Sequence, residues 1–369
     1  MRVGLGLSSG MSFCGGGRPA CRAGESEGSN WDRVVKSVGE KRSGLLPHCR
    51  LVFGEFGVTN SGFGSFFLAG PKAFPDAVEG TPWGDQERFL DLPGGPFLVS
   101  GLSASQAELM DREYASVIAT APSSQQDRHE TAVLRSEPGF FREIDIEGWD
   151  YTLDLDSTPD QLRLAALQFA ALVRWNDGAT AALWTSVEDM WFQGVIENYL
   201  RVVVAHRLLL CDGLLLHSAG AVVDGSAYLF VGASGAGKST LAGKALDAGA
   251  PVLSDDLNAV VDLSVKPAVA QLPFTGELRD QDTFAGTVPL RGIFVLKKGD
   301  TVACETLSRG EAVAAIVATA PFINRGGDNL EILVETATQL TAHVPVGRLT
   351  TAKASSFEEI KRVVHRFQQ

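Results

Sequence analysis

The sequence predicts an α/β domain in the C-terminal half, organised round one glycine-rich loop and preceded by an α+β domain. Three observations predict it. A short apolar strand, Ala227 to Val231, runs into GASGAGKST and then into an alanine-rich helix from about Ser239 to Asp247. That unit is flanked by a strand-like run, Leu214 to Val223, and by VLSDDL, a strand that ends in two acids. Upstream, from Leu46 to about residue 205, strand and helix signals alternate with Gly and Pro punctuation.

In chain order, residues 1–45 are rich in Gly, Ser, Arg and Cys and carry no sustained period, so they read as a poorly ordered lead-in. Residues 46–205 form the α+β region. Cys49 to Phe53 and Gly64 to Leu68 read as short strands, and Ser103 to Thr120 has helical spacing. Glu143 to Leu155 reads as one or two strands turning at Gly148. Thr158-Pro159-Asp160-Gln161 combines an N-cap, a first-turn proline and a capping-box glutamine, which predicts a helix over Leu162 to Val173. A longer helix is predicted from Val187 to Cys211, stopping near Asp212-Gly213. Trp175, Trp184 and Trp191 fit packing better than cofactor stacking. Residues 206–369 make the loop domain. There Asp224-Gly225 is a turn, Ser308 and Glu311 form a capping box, and a closing helix starts near Ser356.

The bulk composition sets limits. Apolar residues are 45% and charged residues 21% of 369, enough for a real core. No apolar run reaches membrane-spanning length. A net charge of −12 argues against a general grip on nucleic acid or anionic membranes, while leaving room for one local phosphate site. The five cysteines (Cys14, Cys21, Cys49, Cys211 and Cys304) are dispersed without CxxC spacing, and the N-terminus lacks the apolar core of a secretory signal. Reduced thiols and cytoplasmic residence are expected, with no nucleic-acid or membrane partner and no reading of oligomeric state.

The chemistry concentrates in Gly232, Ala233, Ser234, Gly235, Ala236, Gly237, Lys238, Ser239 and Thr240. Glycines let successive backbone N–H groups turn inward toward phosphate oxygens, and the following helix adds the positive end of its dipole. Lys238 supplies a cation for the β and γ phosphates and Ser239 a hydroxyl for Mg²⁺, so a nucleoside triphosphate, ATP with Mg²⁺, is the expected ligand. Asp255 and Asp256 allow a division of labour, one serving the metal and the other taking the proton of an attacking hydroxyl. A solvated turn is the competing reading of that pair. His217, on the strand before the loop, lies near the γ-phosphate if the two strands are neighbours, and is otherwise structural. Arg291 and Arg325 are candidates to steady phosphate charge.

Together, LLLHSAGAVV, GASGAGKST and VLSDD resemble the catalytic core of the HPr kinase/phosphorylase superfamily, similar in fold to the ATP-dependent phosphoenolpyruvate carboxykinases. The resemblance implies an α/β P-loop kinase domain of that type. It also implies Asp255 as general base, Asp256 as an Mg²⁺ partner and His217 assisting phosphoryl transfer. QLPFTGE, PLRGIFVLKKGD and HVPVGRL resemble segments of the looser, HPr-kinase-related subgroup. Two departures set the chain apart from the true HPr enzymes: their glycine-rich signature after the acidic pair is missing, and the preceding domain does not read as theirs. The implied activity is transfer of the γ-phosphate to a serine-like hydroxyl of a protein, peptide or small molecule. The alternatives are a non-catalytic ATP sensor and a generic phosphate-loop ATPase. For a transport ATPase, LSRGEA is only a superficial echo of the signature that class carries.

Overall fold

The computed structural model describes residues 64–74, 80–120, 128–141, 153–175, 179–274, 276–278, 286–324 and 329–367. They form a mixed α/β structure with two sheets. The strand expected over Cys49–Phe53 and most of those expected over Glu143–Leu155 lie outside the described residues, as does Arg325.

The first sheet has nine strands: β1 (Thr81–Pro82), β2 (Gln86–Leu92), β3 (Gly95–Leu102), β4 (Ile118–Ala119), β5 (His129–Arg135), β6 (Asp154–Ser157), β7 (Gln161–Ala166), β8 (Phe169–Arg174) and β9 (Thr180–Thr185). Their order is β4-β2-β3-β5-β9-β8-β7-β6, with β1 on β5. α1 (Gly64–Ala69) packs beside it, so the Gly64–Leu68 segment is helical rather than the expected strand. α2 (Ala104–Glu113) begins at Ser103, whose side chain accepts from Gln106 N while the Gln106 side chain reciprocates. The helix predicted over Ser103–Thr120 therefore starts where expected and stops earlier, because the chain turns back at Tyr114 to form β4.

The predicted helix over Leu162–Val173 is a β-hairpin, β7 and β8, joined through Leu167-Gln168 with Gln168 at φ 66°. Thr158 does what an N-cap does, its Oγ1 accepting from Gln161 N at 3.3 Å, but that turn joins β6 to β7. Both faces of the hairpin are largely covered, so it lacks the alternation that marks a half-exposed strand. Trp184 is buried, Trp175 stacks on His206 at 6.2 Å, and Trp191 is half-exposed.

α3 (Phe192–Leu210) is buried along most of its length and packs against α2. It ends at Cys211. Gly213 follows at a close approach: a Cβ there would sit 2.8 Å from both the Leu208 side chain and Val260 O.

The second sheet has eight strands: β10 (Leu214–Val223), β11 (Ser226–Val231), β12 (Val252–Ser254), β13 (Leu257–Val261), β14 (Ala268–Ala270), β15 (Thr287–Lys298), β16 (Ala303–Thr306) and β17 (Val346–Thr351). β10 pairs with β13 over its first half and with β11 over its second. β15 likewise pairs with β14, then β11, then β17. These pairings close a ring, β11-β10-β13-β14-β15, with β17 and β16 continuing outward and β12 lying on β10. α4 (Lys238–Asp247) and α7 (Phe357–Phe367) pack together, and α5 (Arg309–Thr319) packs on α6 (Asn329–His343). α3 lies against β10 and α6, so one apolar core runs from the first sheet through α3 into the second. No helix among the described residues is long and apolar enough to cross a membrane.

Candidate functional site

β11 points its C-terminal end at the glycine-rich loop. Gly235 (φ 74°) and Gly237 (φ 107°) adopt left-handed conformations that a side chain disfavours, and Gly237 caps α4. Ala236 N donates to Ala233 O at 3.0 Å, and Ala233, Ser234 and Gly235 are exposed at the crest. Lys238 opens α4 but folds back across the loop, its Nζ donating to Gly232 O at 3.0 Å and Ala233 O at 3.3 Å. Burial pulls its pKa below the ordinary lysine value, opposed by the negative charge of Asp256. Ser239 is half-buried and Thr240 exposed, one step further along the helix.

β10 neighbours β11, which brings His217 and Ser218 beside the loop. The acidic pair lies at the break between β12 and β13, opposite the same stretch of β10. Ser254 Oγ makes that turn by accepting from Asp256 N (3.1 Å) and Leu257 N (3.2 Å), and Ser218 N donates to Asp256 O at 2.9 Å. Asn258 locks the corner, its Nδ2 donating to Ser218 O and Oγ. Gly220 is required there, since a Cβ would meet Asn258 Oδ1 at 2.5 Å.

The two carboxylates have different surroundings. His217 Nδ1 lies 2.9 Å from Asp256 Oδ1 and 3.0 Å from Asp256 O. Both are acceptors, which assigns a proton of His217 to Nδ1. Arg201 of α3 approaches the other oxygen, with Nη1 3.4 Å from Asp256 Oδ2. Burial opposes ionisation of Asp256. The His217 hydrogen bond and the Arg201, His217 and Lys238 charges outweigh it and hold the carboxyl below its ordinary value of 3.8. Asp255 is 4% exposed, and its Oδ2 accepts from Glu277 N at 3.2 Å. Gly276 lies so close to the Asp255 carboxylate that a Cβ would collide with it. Gly276 and Glu277 thus form a strap over Asp255, and upstream Gln271 Nε2 donates to Leu253 O at 3.1 Å.

The fold therefore gathers His217, Lys238, Asp255 and Asp256 at one end of the second sheet. Arg291 is not gathered: it follows Leu290, which pairs with Ala227 at the far end of β11 from the loop. Sequence reasoning missed Arg201, Glu197 and Asn258, and it singled out the QLPFTGE segment without assigning a role to Gly276. Of the missed residues, Arg201 carried a sequence signal, as a charge inside the apolar run YLRVVVA.

The donor set suits a hard cation. Ser239 and Asp256 offer oxygen ligands, and no group of three or more His, Cys, Asp or Glu among the described residues is arranged to hold a metal. Oxygen donors of this kind are the type Mg²⁺ takes, with water and phosphate oxygens supplying the rest of its shell.

Residues 185–365, just under half the chain and spanning α3 to α7, match a family described as SynChlorMet cassette protein ScmC. No curated protein matches. Among solved structures, the Hpr(Ser) kinase/phosphatase from Coxiella burnetii aligns at 13% identity, covering 41% of this chain and 94% of that one, with a TM-score of 0.25.

Proposed function

We propose that the chain is an ATP- and Mg²⁺-dependent kinase that transfers the γ-phosphate to a serine-like hydroxyl on a protein, peptide or small molecule. Residues 206–369 would form its P-loop domain, of the HPr kinase type, and residues 46–205 the α+β region before it. The observation that carries this reading is the convergence of Lys238, His217 and two unlike carboxylates beside one glycine-rich loop.

In this reading the loop N–H groups and the start of α4 receive the phosphate chain. Lys238 Nζ exchanges its bonds to Gly232 O and Ala233 O for β- and γ-phosphate oxygens. Ser239 and Asp256 would hold Mg²⁺, which would supply neutralisation of charge on the phosphate oxygens. Asp255 accepts the proton of the acceptor hydroxyl as its oxygen bonds to phosphorus and the bond to the ADP oxygen breaks. His217, oriented by Asp256, presents Nε2 beside the transferring group. Asp255 lies beneath Gly276 and Glu277, so the strap shifts when an acceptor enters. That burial is also the one observation that favours the second reading, an ATP sensor that performs no transfer.

Separating binding from transfer tests the proposal. Lys238→Ala is expected to lose ATP affinity in calorimetry. Asp255→Asn is expected to keep it while losing transfer. Full transfer by Asp255→Asn would remove the assigned base.

A further inference from the structure

We infer that Arg201 is a positioning residue for the metal-binding carboxylate, reaching the site from α3. This rests on the reading of the loop as an ATP–Mg²⁺ site. Arg201 reaches the acidic pair from α3, and its side chain is 9% exposed in a helix buried along most of its length. A buried guanidinium is tolerable only where anions and donors match it. Its Nη2 donates to Glu197 Oε1 at 2.6 Å, one turn earlier on the same helix, while Nη1 faces Asp256 Oδ2 at 3.4 Å. Glu197 thus fixes the fork from behind and Asp256 receives its front.

The consequence lies in how Asp256 is divided. His217 holds Oδ1 from β10, and Arg201 holds Oδ2 from α3. With its two oxygens approached from different elements, the carboxylate is held in one orientation. Each oxygen still has a lone pair to offer a cation, so the clamp orients the ligand without consuming it. Lysine would not do this, because one ammonium cannot serve Glu197 and Asp256 with the fork's fixed geometry.

Arg201 also reaches the second carboxylate indirectly. Its guanidinium carbon lies 5.8 Å from the centre of the Phe274 ring. Phe274 is buried and lies two residues before Gly276, which with Glu277 covers Asp255. The charged and titratable groups around this cluster include Glu197 on α3, Tyr114 at the end of α2, His217 on β10, Lys238 on α4, Asp255 beside Asp256, and Glu277 on the strap.

The test is ATP affinity by calorimetry, with Mg²⁺ and with excess EDTA, on the full chain. Wild-type protein should bind ATP more tightly with Mg²⁺. Arg201→Gln should cut that metal-dependent gain by about tenfold or more, the usual effect of losing a ligand's supporting partner, while metal-free affinity stays within about twofold. Asp256→Asn should show the same loss, and the double variant should add nothing to it. Arg201→Lys keeps the buried charge and guards against misfolding of the glutamine variant; it should recover less than the full gain. An unchanged Mg²⁺ gain in a folded Arg201 variant overturns the inference. So does an equal loss with and without metal, which marks a merely structural role, and so do independent losses in the double variant. Wild-type protein that binds ATP equally with and without Mg²⁺ removes the metal role of Asp256 and the inference together, leaving nucleotide binding intact. Wild-type protein that binds no ATP sinks the functional reading itself.

Discussion

His129 should make this protein acid-sensitive by a calculable amount. It opens β5, is fully buried, and is packed against Phe97 (5.1 Å) and Trp175 (5.9 Å). Nε2 lies 3.2 Å from Tyr199 Oη, which also lies 2.8 Å from Thr131 Oγ1, while Nδ1 has no hydrogen-bond partner among the described residues. Burial, with a smaller contribution from the Arg207 charge, drives the imidazole pKa from 6.5 down to about 3. The sign follows directly. Between pH 6.5 and 3 the unfolded chain binds this proton and the folded chain does not, so stability is full above 6.5 and falls as pH drops. From those two values the loss is about 2 kcal/mol at pH 5 and about 4 kcal/mol at pH 3. Asp256 contributes little at pH 5, since its lowered pKa costs stability only as pH falls below the ordinary carboxylate range. His206 is also buried, with its pKa lowered by desolvation, and adds a loss of the same sign. The assay is urea unfolding at pH 7.5 and pH 5.0 for wild type and His129→Gln, which preserves a polar group toward Tyr199. The variant should be less stable at pH 7.5 through lost ring packing. Its drop between the two pH values should nevertheless be smaller than the wild type's by about 2 kcal/mol. His206 is present in both proteins and cancels. Equal pH dependence in the two would refute the assignment of a neutral, proton-excluding His129.

Two further outcomes follow from local geometry. Gly276→Ala places a methyl against the Asp255 carboxylate, so the strap must shift; transfer should fall at least about tenfold, with ATP affinity nearly unchanged. Radiolabel transfer and calorimetry on one preparation check it. Ser308→Ala removes the capping box of α5, where Ser308 Oγ accepts from Glu311 N and the Glu311 side chain from Ser308 N. It should cost about 1 kcal/mol in urea unfolding and leave ATP binding untouched.

The site was more legible in the sequence than the sheet before it, for physical reasons. β10, β11 and α4 follow their predicted spans to within a residue or two, because a strand, a glycine-rich loop and a helix each leave a local signature. The caps at Ser103 and Ser308 were equally local. The Leu162–Val173 hairpin was not readable. Its strands are covered on both faces, which erases the period of two, and the Thr158 turn that opens it uses the same bond as a helix cap. Arg201 and Gly276 act across long sequence separations, so their partners could emerge only from the packing of α3 and the strap on β12 and β13. The unequal burial of Asp255 and Asp256 has the same origin.

The most direct test of the central claim is the fate of the γ-phosphate. Purified protein, Mg²⁺ and γ-labelled ATP are incubated in a desalted host lysate, with Lys238→Ala and Asp255→Asn proteins alongside. Label should pass to one defined protein, peptide or small molecule, and should be lost with both variants. Tight ATP binding with no label leaving the nucleotide would contradict the kinase account and favour the sensor.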